Sequence, residues 1–358
     1  MSTQREPLRR LRKAFFFVLK LAIATAIVWV IVDRNFQAVK EGFATFRYGW
    51  LIPAAALYFL HMAVCSYRWY RLIKVLGIKL SAGEAFALTM QAYFFSLVVP
   101  GGAIGGDLVK IGILNARTPA GSKAEGAFSI LMDRIVGMIA MFVTVICVVS
   151  FSIPVLMKVE IPDLPLTPAM KALGIAAIYA VCLSGIAASM AIFFHRVLFR
   201  LPLIRPAAAW CDRLSHGMVT RLTAAADVYW RNPKVLLGSI FWSIFLVHLL
   251  LAVVFFFLIG GMEVQVPAVL TVVTAVMLGN LAGLLPLFPG GIGARDLTVI
   301  SILVAGGLAA GEAKTAQLLY TALLIGFNIF GGVFFLIDPG RSRTVEILRQ
   351  AGEKRENE

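Results

Sequence analysis

Residues 100–108 read PGGAIGGDL and residues 289–297 read PGGIGARDL, two glycine-rich, acid-ended phrases that agree at five of nine positions and lie among apolar runs. A Pro-Gly-Gly break at membrane depth leaves backbone N–H and C=O groups that lipid cannot satisfy, so such backbone must line protein or a wet cavity. The helix that restarts after each break presents free N–H groups and a positive dipole end, a place for an anion such as phosphate. Gly101, Gly102, Gly105 and Gly106 in the first phrase, with Gly290, Gly291 and Gly293 in the second, let backbone approach a ligand closely. The same small residues equally permit tight helix crossing.

Asp107 and Asp296 each stand seven residues after the phrase's proline. Each could cap its restarted helix and neutralise the dipole, bind the cationic part of a headgroup, or take up a proton. Lys110 follows Asp107 by three residues on roughly the same helical face, and Arg295 adjoins Asp296. A cation beside backbone N–H groups is what a phosphodiester asks for. Asp133 and Arg134 fall about ten residues into the apolar run 124–151, and ionisable groups at such depth are functional candidates. Arg134 is then a phosphate ligand or the partner of an Asp in a hairpin. If the membrane begins near Leu131, the pair merely anchors its helix.

Other chemistry is scarce. His61, at helical spacing from Cys65, and His248 read as histidines hydrogen-bonded to neighbouring helices. Cys65, Cys147, Cys182 and Cys211 lack CxxC spacing, so neither a disulfide framework nor a zinc site follows. No HExxH, GxSxG or P-loop sequence is present, and no catalytic residue, metal or cofactor is expected.

Only a membrane fold can hold such groups in this chain. Of its 358 residues 60 % are hydrophobic and 15 % charged, and the mean hydropathy is +0.87, well outside the balance of soluble domains. Apolar runs cover 14–32, 49–64, 83–99, 103–116, 124–151, 172–194, 235–259, 267–288, 292–310 and 316–336. Many approach the roughly 20 residues that cross a bilayer as a helix, and the period-two alternation of a barrel is missing. The expected class is an all-α polytopic membrane protein with about 8 transmembrane spans. The net charge of +14 sits in short segments flanking apolar runs. That distribution reads as membrane orientation and excludes nucleic acid as a partner.

Cations accumulate on the cytoplasmic side. They mark 1–13 as a basic cytoplasmic N-terminus, 65–82 (Arg68, Arg71, Lys74, Lys79) as a cytoplasmic connection, 195–234 as a cytoplasmic loop and 337–358 as a basic cytoplasmic tail. Within the loop, Trp210, Leu214, Met218 and Leu222 recur every four residues, as in an interfacial helix or a connector packed on the bundle. The first transmembrane half is 14–194 with a hairpin at 83–116, and the second is 235–336 with a hairpin at 267–310. Run 49 matches run 235, Pro100 matches Pro289 and run 124 matches run 316, at offsets of 186, 189 and 192. With the charge rule, the hairpins enter from opposite sides, so the halves form an inverted repeat whose shared site lies near the midplane.

PGGAIGGDLVKIGIL, MDRIVG at 132–137 and PLFPGGIGARDL together resemble the lysylphosphatidylglycerol synthase transmembrane-region family of flippase-like integral membrane proteins. That family includes the flippase domain of the bacterial multiple peptide resistance factor. The likeness runs from about 14 to 336. It implies a first glycine motif at Gly101 to Asp107, an acid-arginine pair at Asp133 and Arg134, and a second glycine motif at Gly290 to Asp296. The second motif commonly ends in Glu, where this chain has Asp296. The family's soluble synthase domain has no counterpart here, so synthase activity is not carried over. The expected function is movement of a phospholipid, glycolipid or polyprenyl-linked headgroup between leaflets of a bacterial inner membrane, with membrane lipids as partners. Association into a homo-oligomer is left open. The alternatives are a membrane-embedded enzyme or accessory protein acting on a lipid-linked substrate, and a small-solute transporter.

Overall fold

The structure, a computed structural model, describes residues 36–99, 102–118, 122–160, 165–193, 206, 210, 212–213, 218–284 and 293–338. The expected first span 14–32, Pro100, Gly101, Pro289, Gly290, Gly291, most of 195–217 and the tail from 339 lie outside the described residues.

Among the described residues every regular element is helical. α1 (Phe36–Thr45) leads through a short 3₁₀ turn to α2 (Leu51–Val75), and the first hairpin is α3 (Ala82–Val98) and α4 (Ala103–Arg117). α5 (Lys123–Leu156), α6 (Pro168–Ala191) and α7 (Met218–Trp230) follow. α8 runs over Pro233–Gly260 with a π-helical stretch at Ser243–Leu249. The second hairpin is α9 (Val269–Ala282) and α10 (Ala294–Ala305), and α11 (Ala310–Leu336) ends the bundle.

Local chemistry sets several of these ends. Ser81 accepts the Glu84 N–H at 3.2 Å while the Glu84 carboxylate accepts the Ser81 N–H at 2.8 Å, a reciprocal cap that starts α3. Thr167 caps α6 ahead of Pro168, and Pro233 opens α8, where its missing N–H leaves no bond unmade. The helices after the two glycine phrases begin at Gly102, with φ +58°, and Gly293, with φ +95°, a region that residues with a Cβ rarely enter.

Among the described residues five helices are long and apolar enough to cross a membrane: Tyr48–Val75, Lys123–Leu156, Pro168–Ala191, Pro233–Gly260 and Ala310–Leu336. Exposed apolar side chains such as Ile52, Phe151 and Leu173 mark their lipid-facing sides. The four hairpin helices have only 17, 15, 14 and 12 residues, short of the roughly 20 that a bilayer core requires. α2 differs from its expectation. The apolar run breaks off at 64 because of the arginines beyond it, yet the helix continues to Val75. Trp69, Leu72 and Ile73, all at 0 % exposure, carry its buried face onward, and Arg68 lies inside the packed bundle rather than in a connecting segment.

Packing exchanges elements between the halves. The first hairpin's α3 lies on α11, the second hairpin's α9 lies on α5, and α2 packs on α8. The largest core forms where α2, α5, α8, α9, α10 and α11 meet, around Tyr58, Met62, Phe255, Leu258, Val272 and Leu303. α7 closes one end: Tyr229 is fully buried and donates to the Leu72 carbonyl at 3.0 Å. The end of α7 thus packs on the bundle through Ala225, Ala226 and Tyr229.

Two glycines permit the closest crossings. A Cβ at Gly331 of α11 would collide with the Met90 carbonyl of α3, and one at Gly106 of α4 with the Ala92 carbonyl. Neither obstacle is a movable side chain. Gly331→Ala and Gly106→Ala should each cost about 1–3 kcal/mol, read as a lower Tm in detergent. Gly238→Ala, with open space around its new methyl, should leave Tm unchanged or raised.

Candidate functional site

The repeated phrases fold to different registers. The first helix restarts after Gly102 and the second after Gly293, two positions later in the phrase. Asp296 therefore falls in the first turn of α10, where its carboxylate accepts the Gly293 N–H at 2.8 Å and closes the helix end. Asp107 falls one position past the first turn, and α4 starts without a side-chain cap. Its carboxylate is left for another partner.

That partner is Arg134 of α5, whose Nε and Nη2 donate to the two Asp107 oxygens at 2.6 and 2.9 Å. Asp133 is one residue away on the same helix, so it points about 100° around. It receives Arg68 of α2, with Nε and Nη2 donating at 2.7 and 3.2 Å. The third nitrogen of Arg68 donates to the Ser243 hydroxyl at 2.9 Å, in the π-helical stretch of α8. Lys110 of α4 lies near both pairs. Its ammonium sits 3.5 Å above the Trp69 ring and donates to Thr89 at 3.0 Å, and the indole N–H in turn donates to Ser129 at 3.1 Å. Bidentate guanidinium pairs and a cation over an indole face are among the stronger polar contacts available away from water.

The centre thus holds three cations, Arg68, Lys110 and Arg134, against two carboxylates, Asp107 and Asp133. Exposure is graded within it. The Arg134 side chain is 45 % exposed and Asp107 18 %, whereas Arg68 and Asp133 are at 10 and 16 %. Arg134 is the accessible member and the other groups support it.

The second phrase builds a closed centre. Arg295 and Asp296 are 5 and 7 % exposed and 3.2 Å apart. Asp296 also accepts from Gln317 and from Thr321 of α11, the latter at 3.2 Å, and Arg295 donates to Thr321 at 3.1 Å while lying 5.3 Å from the Tyr320 ring centroid. The Gln317 side-chain oxygen is buried without a hydrogen-bond partner.

Sequence reasoning placed the residues of both phrases with Asp133 and Arg134 in one shared site; the structure divides them, gathering Asp107, Lys110, Asp133 and Arg134 in one centre with Gly102, Gly105 and Gly106 at the start of α4. Arg295, Asp296 and Gly293 form the other. Gly101, Gly290 and Gly291 lie outside the described residues. Arg68 and Ser243 were missed, as were Gln317 and Thr321. Arg68 stands three residues past Cys65 and seven past His61, the spacing of one helix face, which is the signal that would have found it. Both histidines bond to neighbouring helices as expected, His61 Nδ1 at 3.0 Å from the Val247 carbonyl and His248 Nε2 at 3.1 Å from that of Gly137.

Two surface grooves accompany the centres. One of about 450 Å³ is wholly apolar, between Leu51 and the α11 residues Leu323, Gly326, Phe327 and Phe330. The other, about 500 Å³, is lined by Tyr67, Tyr70, Arg71, Lys74, Val75 and Val235 where α2 meets α8.

Long apolar helices, broken short ones and a charged interior define a polytopic integral membrane protein. The chain belongs to the family described as the lysylphosphatidylglycerol synthase transmembrane region, whose family model matches residues 17–332. A search of curated proteins gives no match. Membership gives the protein a function related to membrane lipids, which are its partners.

Arg68→Ala should destabilise the protein by about 3–5 kcal/mol, because it leaves the Asp133 carboxylate buried and unpaired. Adding Asp133→Asn should recover part of the loss. A thermal-shift double-mutant cycle with coupling near zero would show that the two side chains act independently.

Proposed function

We propose that the protein carries the headgroup of a membrane lipid between leaflets, as a flippase-like transporter rather than an enzyme. The observation that carries this reading is the excess cation of the α2–α4–α5 centre, three positive groups on two carboxylates, with Arg134 within reach of its surface. A phosphodiester carries one negative charge and the same paired oxygens as the Asp107 carboxylate. It can take the bidentate place on Arg134 and bring the centre to neutrality. The uncapped first turn of α4 adds backbone donors on the same side. A charge carried through hydrocarbon alone costs many kcal/mol, so headgroup transit is the step that such a centre assists.

Other features agree. The short hairpin helices and the exchange of packing between halves support an inverted repeat, with hairpins entering from opposite sides and broken helices meeting inside the membrane. The apolar groove on α11 suits an acyl chain that stays in lipid. The groove with Arg71 and Lys74 suits an anionic headgroup arriving at the membrane surface. In this reading Asp107, Lys110, Asp133, Arg134 and the glycines of the first phrase hold the headgroup in one state. Arg295, Asp296 and the second phrase offer the counterpart in the other. The termini are cytoplasmic in an inner membrane, as the charge distribution implies.

The test is a leaflet-resolved assay in proteoliposomes containing a fluorescent phospholipid. The wild type should redistribute the label without a new lipid mass. Arg134→Ala should slow movement on the order of tenfold or more, the loss of a charge-assisted bidentate contact, and Arg134→Lys should be intermediate. A changed lipid mass would instead mark an enzyme, and unchanged movement in Arg134→Ala would remove the headgroup site.

A further inference from the structure

A line of polar side chains joins the two charged centres, and neither uses its middle. Tyr58, His61, Cys65 and Arg68 recur along α2 at spacings of three, four and three, which is one helix face. At one end Arg68 belongs to the open centre through Asp133. At the other the Tyr58 ring lies 6.0 Å from the Tyr320 ring, and Tyr320 in turn faces Arg295 of the closed centre.

His61 occupies the middle of this line, and its geometry fixes the tautomer. Nδ1 is 3.0 Å from the Val247 carbonyl, and a carbonyl oxygen only accepts, so the ring hydrogen is on Nδ1. Nε2 then keeps its lone pair, and its neighbour at 3.9 Å is the Cys65 sulfur. A basic nitrogen is thus held inside the bundle between two ion-paired centres. The groups around it are Tyr58, Cys65 and Arg68 on its own helix and His248 on α8. Tyr93 of α3 and Asp133 of α5 act on it through Cys65, and Arg295 of α10 and Tyr320 of α11 through Tyr58. None of the nearest carboxylates pairs with the imidazole directly: Asp133 is engaged by Arg68 and Asp296 by its own cluster. A proton on Nε2 would therefore place a new positive charge between the two centres and act on both.

Building on the transport reading above, we propose that His61 Nε2 is the proton-carrying group that couples lipid movement to a transmembrane proton gradient. It binds a proton arriving from one aqueous face and releases it to the other as the headgroup crosses. The chemistry needs no nucleotide, and the sequence contains no P-loop.

Proteoliposomes with an internal pH dye and a leaflet-resolved fluorescent phospholipid test this under an imposed acid-outside gradient. The wild type should take up protons and show a gradient-dependent lipid distribution. His61→Gln, whose amide can still donate to the Val247 carbonyl, should move lipid downhill within about twofold of wild type while losing proton uptake on the order of tenfold. His61→Asn keeps a donor too and gives the same readout if the Gln variant fails to insert. Wild-type uptake in a folded His61 variant would overturn the proposal, and so would lipid movement by the wild type with no proton uptake. Proton uptake that depends on His61 without any lipid movement would overturn the transport reading and leave the histidine's role standing.

Discussion

The constraint on which the structure turns is that guanidinium and carboxylate groups must meet in pairs inside a bundle surrounded by lipid. A buried ion pair adds little net stability, since desolvation offsets most of the attraction, but half of one is severely destabilising. Arg68 with Asp133 and Arg134 with Asp107 therefore act as positional constraints. They fix α2, α5 and the first hairpin against one another at the depth where the backbone is broken. Because Asp133 and Arg134 are neighbours on one helix, a single turn of α5 must satisfy partners on two different elements. That leaves the hairpin little freedom to shift along α5.

The two glycine phrases show how a small change in register gives two aspartates different partners. Both place an aspartate at the eighth position of a nine-residue phrase. In the second phrase the helix begins two residues later, and the aspartate is consumed as the helix's own cap. In the first it sits deeper, free to bind an arginine from another helix. The capped copy is sealed by Gln317, Thr321 and Tyr320, while the uncapped copy leaves Arg134 accessible. The asymmetry follows both the cap geometry and the different partners that the neighbouring helices supply.

The rest of the molecule frames the two centres. Hairpin helices of 12 to 17 residues fall short of the roughly 20 that cross a bilayer core; the close crossing at Gly106 joins the two helices of the first hairpin, and the one at Gly331 brings α11 against α3. A π-helical stretch of α8 passes beside Arg68 and His61, where Ser243 and the Val247 carbonyl serve as partners. Such irregular turns frequently mark functional positions, because they change which backbone and side-chain groups face inward.

By itself, the sequence determined the membrane class, and it singled out the two glycine phrases and the candidate set Asp107, Lys110, Asp133, Arg134, Arg295 and Asp296. Hydropathy, glycine and charge are local properties, and no folding is needed to read them. It also determined the family, through phrases a few residues long. It did not assign partners. Asp133 and Arg134 are adjacent in the chain, yet they bond to residues 65 and 27 positions away. Arg68, counted among the loop cations, proved to be a buried partner. Only the tertiary structure could decide this, because pairing depends on which helix faces meet and at what register, and those are set by packing over the whole bundle. The same holds for the two aspartates: identical in their phrases, they were told apart by where each helix begins, a matter of two residues of backbone conformation.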